Sequence, residues 1–420
     1  MASVHSVTAS TAAELLAALA DPAIPDVAVA GTIAAAGSLR LQPGQTLKGT
    51  APDARIEFPA GADGICLTRD NTVVGLQLRT DPDRRAVFND PASPHLGRLV
   101  LRDLDVFGCV RLIAEGAVRG GHVEMDGVDV VSADARHFPE WPSGYGVEVV
   151  PGALTVWNRQ SDPSVVITAD LRRLSAGRAG APVRGSGIFV AGAGVTGGRL
   201  LVRLLQTGAV FSDGGIPPGT ANRIAGGVFT VDGAFVDEVH NFGPVTTYGP
   251  NDMVLDNWGT VDRWTADAKI TSFGPSAIGF VNFGTIGVLR VLAPIETFGG
   301  GARGFNVYAG TVHDAEFDRI VTRADGAVGL QISQPVGRIA VRRGIETFGG
   351  IGDSLVKGVV VQLPATPLSI KPGGSAREIT IEGGLFSHGF GIDPLQLHGS
   401  IGALSVSGGF AAAAGGFEPI

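Results

Sequence analysis

Five stretches of the chain align at a spacing of 25 residues, beginning at Val245, Ile270, Ile295, Ile320 and Ile345. Stacked, they read VTTYGPNDMVLDNWGTV, ITSFGPSAIGFVNFGTI, IETFGGGARGFNVYAGTV, IVTRADGAVGLQISQPV and IETFGGIGDSLVKGVVV. The first column is aliphatic, and two places on stand Thr247, Ser272, Thr297, Thr322 and Thr347. The next column is Tyr248, Phe273, Phe298, Arg323 and Phe348, and a further one is Leu255, Phe280, Phe305, Leu330 and Leu355. A period of this length marks a solenoid. A unit so short cannot bury its own apolar face, so neighbours must stack.

Within each unit, β-branched and aromatic runs alternate with Gly, Pro, Asn and Asp, which read as short strands between turns. No helical pattern fits inside the period. Three short strands per unit make one coil of a parallel β-helix, with successive coils about 4.8 Å apart and like residues over like. On these residues the chain resembles the right-handed parallel β-helix proteins of the pectin-lyase-like group. The resemblance implies an all-β fold: a right-handed parallel β-helix of one domain over residues 1–420. Gly-aliphatic strand starts at Gly64, Gly108, Gly146, Gly187 and Gly227 extend the pattern towards the N-terminus. That gives roughly a dozen coils, or a stack on the order of 60 Å.

The 63 glycines follow no three-residue period, so collagen is excluded, and 44% hydrophobic residues exclude disorder. A formal net charge of −8 argues against nucleic acid and anionic membrane partners. There is no apolar run long enough for a membrane span. MASVHSVTAS lacks the form of a signal peptide, so the chain reads as cytoplasmic, or as secreted if a leader was removed. Cys66 and Cys109 stand in apolar strand contexts and read as free, buried thiols. No metal or cofactor motif is present.

Residues 11–22 form the expected N-terminal cap helix. Thr11 and Glu14 make a capping box ahead of Leu15, Leu16 and Leu19, and Asp21-Pro22 closes the segment. The small, apolar C-terminal stretch GGFAAAAGGFEPI is expected to cap the other end or meet a partner subunit.

The most regular coils span 245–369. Over 133–226 the spacing swells, through insertions at 133–145, 173–186 and 211–226. Insertions on successive repeats tend to share a face, often the binding face. Alternation then places Leu255 inward and Asp256 and Trp258 outward. By the same register Val281, Phe283, Asn306, Tyr308, Gln331 and Ser333 face out, as do Arg111, Glu148, Phe189 and Thr230 on earlier coils. Aromatic faces interleaved with planar hydrogen-bonding groups suit a sugar chain. The same strip would equally serve as an interface in a homodimer or trimer.

Asp232 and Asp256 fall on adjacent coils two residues out of step, with backbones roughly 8 Å apart, in the range of an inverting glycosidase pair. Asp252 and Glu148 are alternative partners for Asp256. The expected saccharide-binding residues are Arg111, His137, Glu140, Trp141, Tyr145, Trp258, Asn306, Tyr308 and Gln331. Lys357, in place of Asn in an inward column, is a turn distortion, or a general base if the register slips there. The paired-Asp and Gly-His-Gly pattern of polygalacturonases and the Arg-x-Pro-x-x-Arg of pectate lyases are absent. HGFGIDPLQLHG (388–399) is similar to the Tyr-Gly-Phe-Asp-Pro-His stretch of alginate epimerases, with His388 for Tyr, an inserted Gly-Ile and Leu395 for His. The leading expectation is a carbohydrate-active enzyme, a glycosidase or transglycosidase acting on an oligo- or polysaccharide through paired carboxylates. The alternatives are a lyase or epimerase on a uronic-acid glycan, which needs a cation near the sugar carboxylate plus a base, and a non-catalytic glycan-binding or structural β-helix.

Overall fold

The structure, a computed structural model, describes residues 6–356 and 358–413. Lys357 and the last seven residues of the C-terminal stretch lie outside the described residues. Two compact units are distinguished, one of residues 6–139, 151–209 and 231–237, the other of residues 140–150, 210–230 and 238–413. Parallel strands stacked coil on coil build both.

In the first unit the helix Ala12–Ala20 forms where the capping box requires it. Thr11 Oγ1 accepts from the Glu14 N–H at 3.3 Å, and Glu14 Oε2 accepts from the Thr11 N–H at 3.2 Å. Leu15, Ala18 and Leu19 are its buried face. The helix end is closed by a distant residue. Gln45 Nε2 donates to the carbonyls of Ala18 (3.3 Å), Asp21 (3.2 Å) and Ile24 (3.0 Å), groups a helix terminus leaves without partners. One sheet runs through Thr46–Gly49, Thr72–Arg79, Arg98–Phe107, Gly120–Ser132 and Val166–Ala176, and a second through Leu39–Arg40, Ile65–Leu67, Arg85–Asn89, Cys109–Ala114, Gly152–Asn158 and Ser186–Ala191. Both cysteines are free. Cys109 is fully buried, which pushes its thiol up to about 12, whereas Cys66 is half-buried.

The second unit shows the 25-residue register directly. Val245, Ile270, Ile295, Ile320, Ile345 and Leu385 are successive parallel partners. So are Leu255, Phe280, Phe305 and Leu330, all buried. A third strand per coil, from Thr260–Ala266 to Ser400–Val406, completes the triangle. Rings from two sheets meet inside it: Trp264 lies 4.9 Å from Phe280, and Phe305 lies 4.7 Å from Phe317. Gly279, Gly304 and Gly329 precede Phe280, Phe305 and Leu330 because neighbouring coils approach closely there. A Cβ on Gly304 would stand 2.2 Å from Ile320 Cγ2 and 2.6 Å from the Gly329 carbonyl oxygen.

Two sequence expectations are corrected. Leu355 does not continue the apolar stack; Leu330 pairs with Leu368 instead. Ile351–Val356 and Val359–Pro364 form an antiparallel hairpin inserted after Thr347, and Leu355 belongs to it. The insertions are also shorter than the sequence suggests. Residues 173–176 complete the strand Val166–Ala176, residues 211–213 complete Arg199–Asp213, and residue 223 opens Arg223–Thr230. The long strands turn a corner without breaking: Asp103, Gly127 and Arg173 adopt left-handed backbone (φ 49, 71 and 49°), and the pairing skips over Asp103 and Gly127. Such a bulge looks like a turn in sequence.

Candidate functional site

Most of the candidate residues gather on the outward face of one sheet of the second unit. Its strands are Arg223–Thr230, Asp252–Asn257, Ile278–Asn282, Arg303–Val307, Val328–Ile332 and Leu368–Ile370. Register aligns Asp256, Val281, Asn306, Gln331, Ser369 and Gln396 in one row. A second row is Met253, Ile278, Arg303 and Val328. Just beyond the strands stand Trp258, Phe283, Tyr308 and, further along, Lys371.

The aromatic end of this face is closed by Tyr145. Its ring meets Trp258 edge-on at 5.1 Å and lies 4.6 Å from Phe283, which stacks on Tyr308 at 5.3 Å. Tyr145 has φ +52°, a left-handed conformation rare for a bulky residue. The bridge to Arg223–Thr230 fixes it from behind: Glu148 and Val149 pair with Arg223 and Ile224. Beneath Tyr145 is a slot of about 50 Å³. Val147, Ala221, Ile224, Met253, Ile278, Val281, Phe283, Tyr308 and Leu355 are among its walls.

The polar end adjoins it. Arg303 is fully buried; its Nη2 donates to Ser354 Oγ at 2.8 Å, and Ser354 donates to the Gly301 carbonyl at 2.8 Å. The Arg303 guanidinium lies 5.8 Å from the Tyr308 ring. Among the described residues it has no ion-pair partner, and its Nε has no hydrogen-bond partner. Asn306 and Gln331 are buried beside it, joined by Gln331 Nε2 donating to Asn306 Oδ1 at 3.2 Å. That leaves Asn306 Nδ2 and Gln331 Oε1 without partners among the described residues. A buried cation and two unsatisfied amide groups on one face are expensive to maintain. Lys371 is half-buried. Burial, then the neighbouring Arg303 charge, lowers its pKa below the usual lysine range and favours the neutral amine.

The structure brings together Tyr145, Trp258, Asn306, Tyr308 and Gln331, with Asp256 in the same row. Trp258 and Tyr308 are nearly buried, so their faces lie under other rings rather than open to solvent. Asp256 and Asp252 are fully buried. Asp252 Oδ2 accepts from the N–H groups of Gly249 (2.8 Å) and Gly214 (3.2 Å), which anchors the turn before its strand. Glu148 is half-exposed, 3.6 Å from Arg223. Trp141 packs on Val150, Ile216 and Ala225, with the Arg223 guanidinium 4.9 Å from its ring, and Glu140 immediately precedes it in the chain. In the first unit, Arg111 is buried with its guanidinium 3.9 Å from the Phe138 ring, and His137 Nε2 lies 3.7 Å from Asp134. Asp232, also there, has its carboxyl pKa raised by burial, and its backbone carbonyl accepts from the N–H groups of Gly192 and Gly194. His388 stacks on Phe348 at 4.3 Å and reaches Glu346 at 3.5 Å, on a different sheet from Arg303. The sequence reading missed Arg303 and Lys371. A charged residue in the apolar column Met253–Ile278–Arg303–Val328 is the signal for the first; the second emerges only once the hairpin is removed from the repeat.

Among the described residues no cluster of His, Cys, Asp and Glu is arranged to hold a metal ion, and no helix is long and apolar enough to cross a membrane. No protein-family model matches the chain, and neither a curated protein nor a solved structure matches it.

Proposed function

We propose that this chain is a carbohydrate-active β-helix enzyme of the pectin-lyase-like kind that binds a uronic-acid glycan across Tyr308, Arg303, Asn306 and Gln331 and cleaves it by elimination. The observation that carries this reading is Arg303, a buried guanidinium with no carboxylate partner among the described residues. The sugar carboxylate supplies that partner, and the free Asn306 N–H extends the grip. Drawing charge onto the carboxylate acidifies the adjacent C5–H. In its unprotonated form the Lys371 amine takes that proton, the C5–H electron pair becomes the C4=C5 bond, and the C4–O4 bond breaks. The Tyr308 phenol, whose ring lies 5.8 Å from the Arg303 guanidinium, returns a proton to the departing oxygen. Hydrolysis through Asp256 is the second reading, favoured by the burial of that carboxyl in the same row as Asn306 and Gln331.

Incubation with a panel of polyuronates, followed by absorbance of the unsaturated product and by reducing-end release, separates the two. Elimination yields both signals; hydrolysis yields reducing ends alone. Lys371→Gln should lose at least about a hundredfold in rate if Lys371 is the base. Lost rate in Asp256→Asn with full rate in Lys371→Gln would move the chemistry to the carboxylate.

A further inference from the structure

We infer that the slot under Tyr145 is a subsite for a short acyl substituent, so that the glycan taken is an O-acetylated polyuronate; this rests on the uronic-acid reading above. The slot measures about 50 Å³. Space of this kind holds one water per about 10–15 Å³, so the slot admits a group of three or four heavy atoms and not a sugar ring. Most of its walls are apolar, Met253, Ile278, Val281 and Phe283 among them, while Asn251 and Ser276 and the phenols of Tyr145 and Tyr308 are the polar groups that line it. A bare sugar OH turned onto the apolar part of this wall is stripped of water without compensation. An acetyl methyl gains from the same surroundings, by about fourfold in affinity for one buried methyl group. Position selects the substituent further. Tyr308 lines the slot and also lies 5.8 Å from the Arg303 guanidinium. That is the scale of a single sugar residue, so one ring can place its carboxylate on Arg303 and its acyl group in the slot. Tyr145 and Gly358, both exposed, stand at the rim, where a substituent on a long chain can enter sideways.

The test uses one O-acetylated polyuronate and the same preparation after mild alkaline deacetylation, matched in length. Affinity and kcat/KM for each are measured with the wild-type chain and with two variants that fill the slot from opposite sides, Ile278→Phe and Ala221→Leu. Near-ultraviolet circular dichroism checks that each variant is folded. The expected result is a wild-type preference for the acetylated polymer of at least about fourfold. That ratio should collapse towards one in either folded variant. Equal handling of the two polymers by the wild type, or a ratio unchanged in both variants, overturns the acyl subsite while leaving the elimination reading in place. Binding of neither polymer overturns both.

Discussion

Arg303 sets the terms at the scale of the residue. A guanidinium removed from water and given only a hydroxyl and a carbonyl is a poor stabiliser, and replacing such a charge with an apolar group of similar length is often neutral or better. Arg303→Met should therefore leave the thermal midpoint unchanged or raised while weakening binding of an acidic oligosaccharide about ten- to a hundredfold, the worth of a charged hydrogen bond. Calorimetric unfolding and titration on the same preparation read both. Destabilisation by several kcal/mol with unaltered binding would make Arg303 a structural tether for Ser354. Lys371 adds a pH dependence of definite sign. Its pKa is lowered, so the neutral amine appears at a lower pH than for an exposed lysine. Turnover should rise with pH through that lowered value, and the rising limb should vanish in Lys371→Gln. A limb that persists in the variant would assign it to another group.

Single elements show where sequence was enough and where it was not. The columns headed by Val245 and Leu255 were legible because stacking repeats the same demand every coil, so Phe280, Phe305 and Leu330 had to share one face. Phe305→Ala should cost about 3–5 kcal/mol in denaturant unfolding, as buried aromatic truncations do; a loss below about 1 kcal/mol would mean that the stack relaxes around the gap. The fifth coil misled for a physical reason. Leu355 stands at the right spacing, but period alone cannot distinguish a coil strand from a hairpin strand of equal length, and Leu368 fills the place. Side-chain direction was legible in the regular coils but not at Thr230, which pairs with Asn257 and donates to its Oδ1 at 2.6 Å, so that Phe229 and not Thr230 lies in the Asp256 row; burial was not legible. Asp256, Asn306 and Gln331 do share a row, yet what covers them comes from residues far away in the chain, such as Tyr145 and Ser354. The hairpin is separable by geometry: the Ala365 N–H donates to the Gly350 carbonyl at 3.1 Å, so its two ends already touch. Replacing residues 351–364 by a two-glycine link should keep cooperative unfolding, with stability changed by about 1 kcal/mol, because closing a shorter loop costs little. Loss of the folded state would show that the hairpin is part of the core.

Across the whole molecule, the stacking that aligns apolar residues also aligns charges. In the first unit Glu124 is shared by Arg98 and Arg102, and Asp170 by Arg172 and Arg203. In the second, Glu296 is shared by Lys269 and Arg323, and Asp314 by Arg290 and Arg338. A single exposed ion pair contributes little, but here each carboxylate sits between two cations in a row that repeats. The Arg102 hydrogen bond holds Glu124 below the usual carboxylate range. Burial alone would raise Asp170, Glu296 and Asp314; the flanking arginines and lysine outweigh it and hold all three low as well. A carboxylate whose pKa is lower folded than unfolded binds fewer protons in the native state, so its contribution to stability is present above the unfolded value and disappears as pH falls through the folded one. The ordinary values are 3.8 for Asp and 4.5 for Glu. Unfolding free energy should thus be nearly flat from neutrality down to about pH 5 and fall steadily below about pH 4. Added salt should lower the plateau, because these pairs lie at the surface within reach of screening ions. Denaturant titrations at a series of pH values, with and without salt, give the curve. Glu124→Gln together with Asp314→Asn should reduce its acid slope, since two of the groups that must take up protons are gone. A slope identical to wild type in that double variant would place the acid-sensitive carboxylates elsewhere.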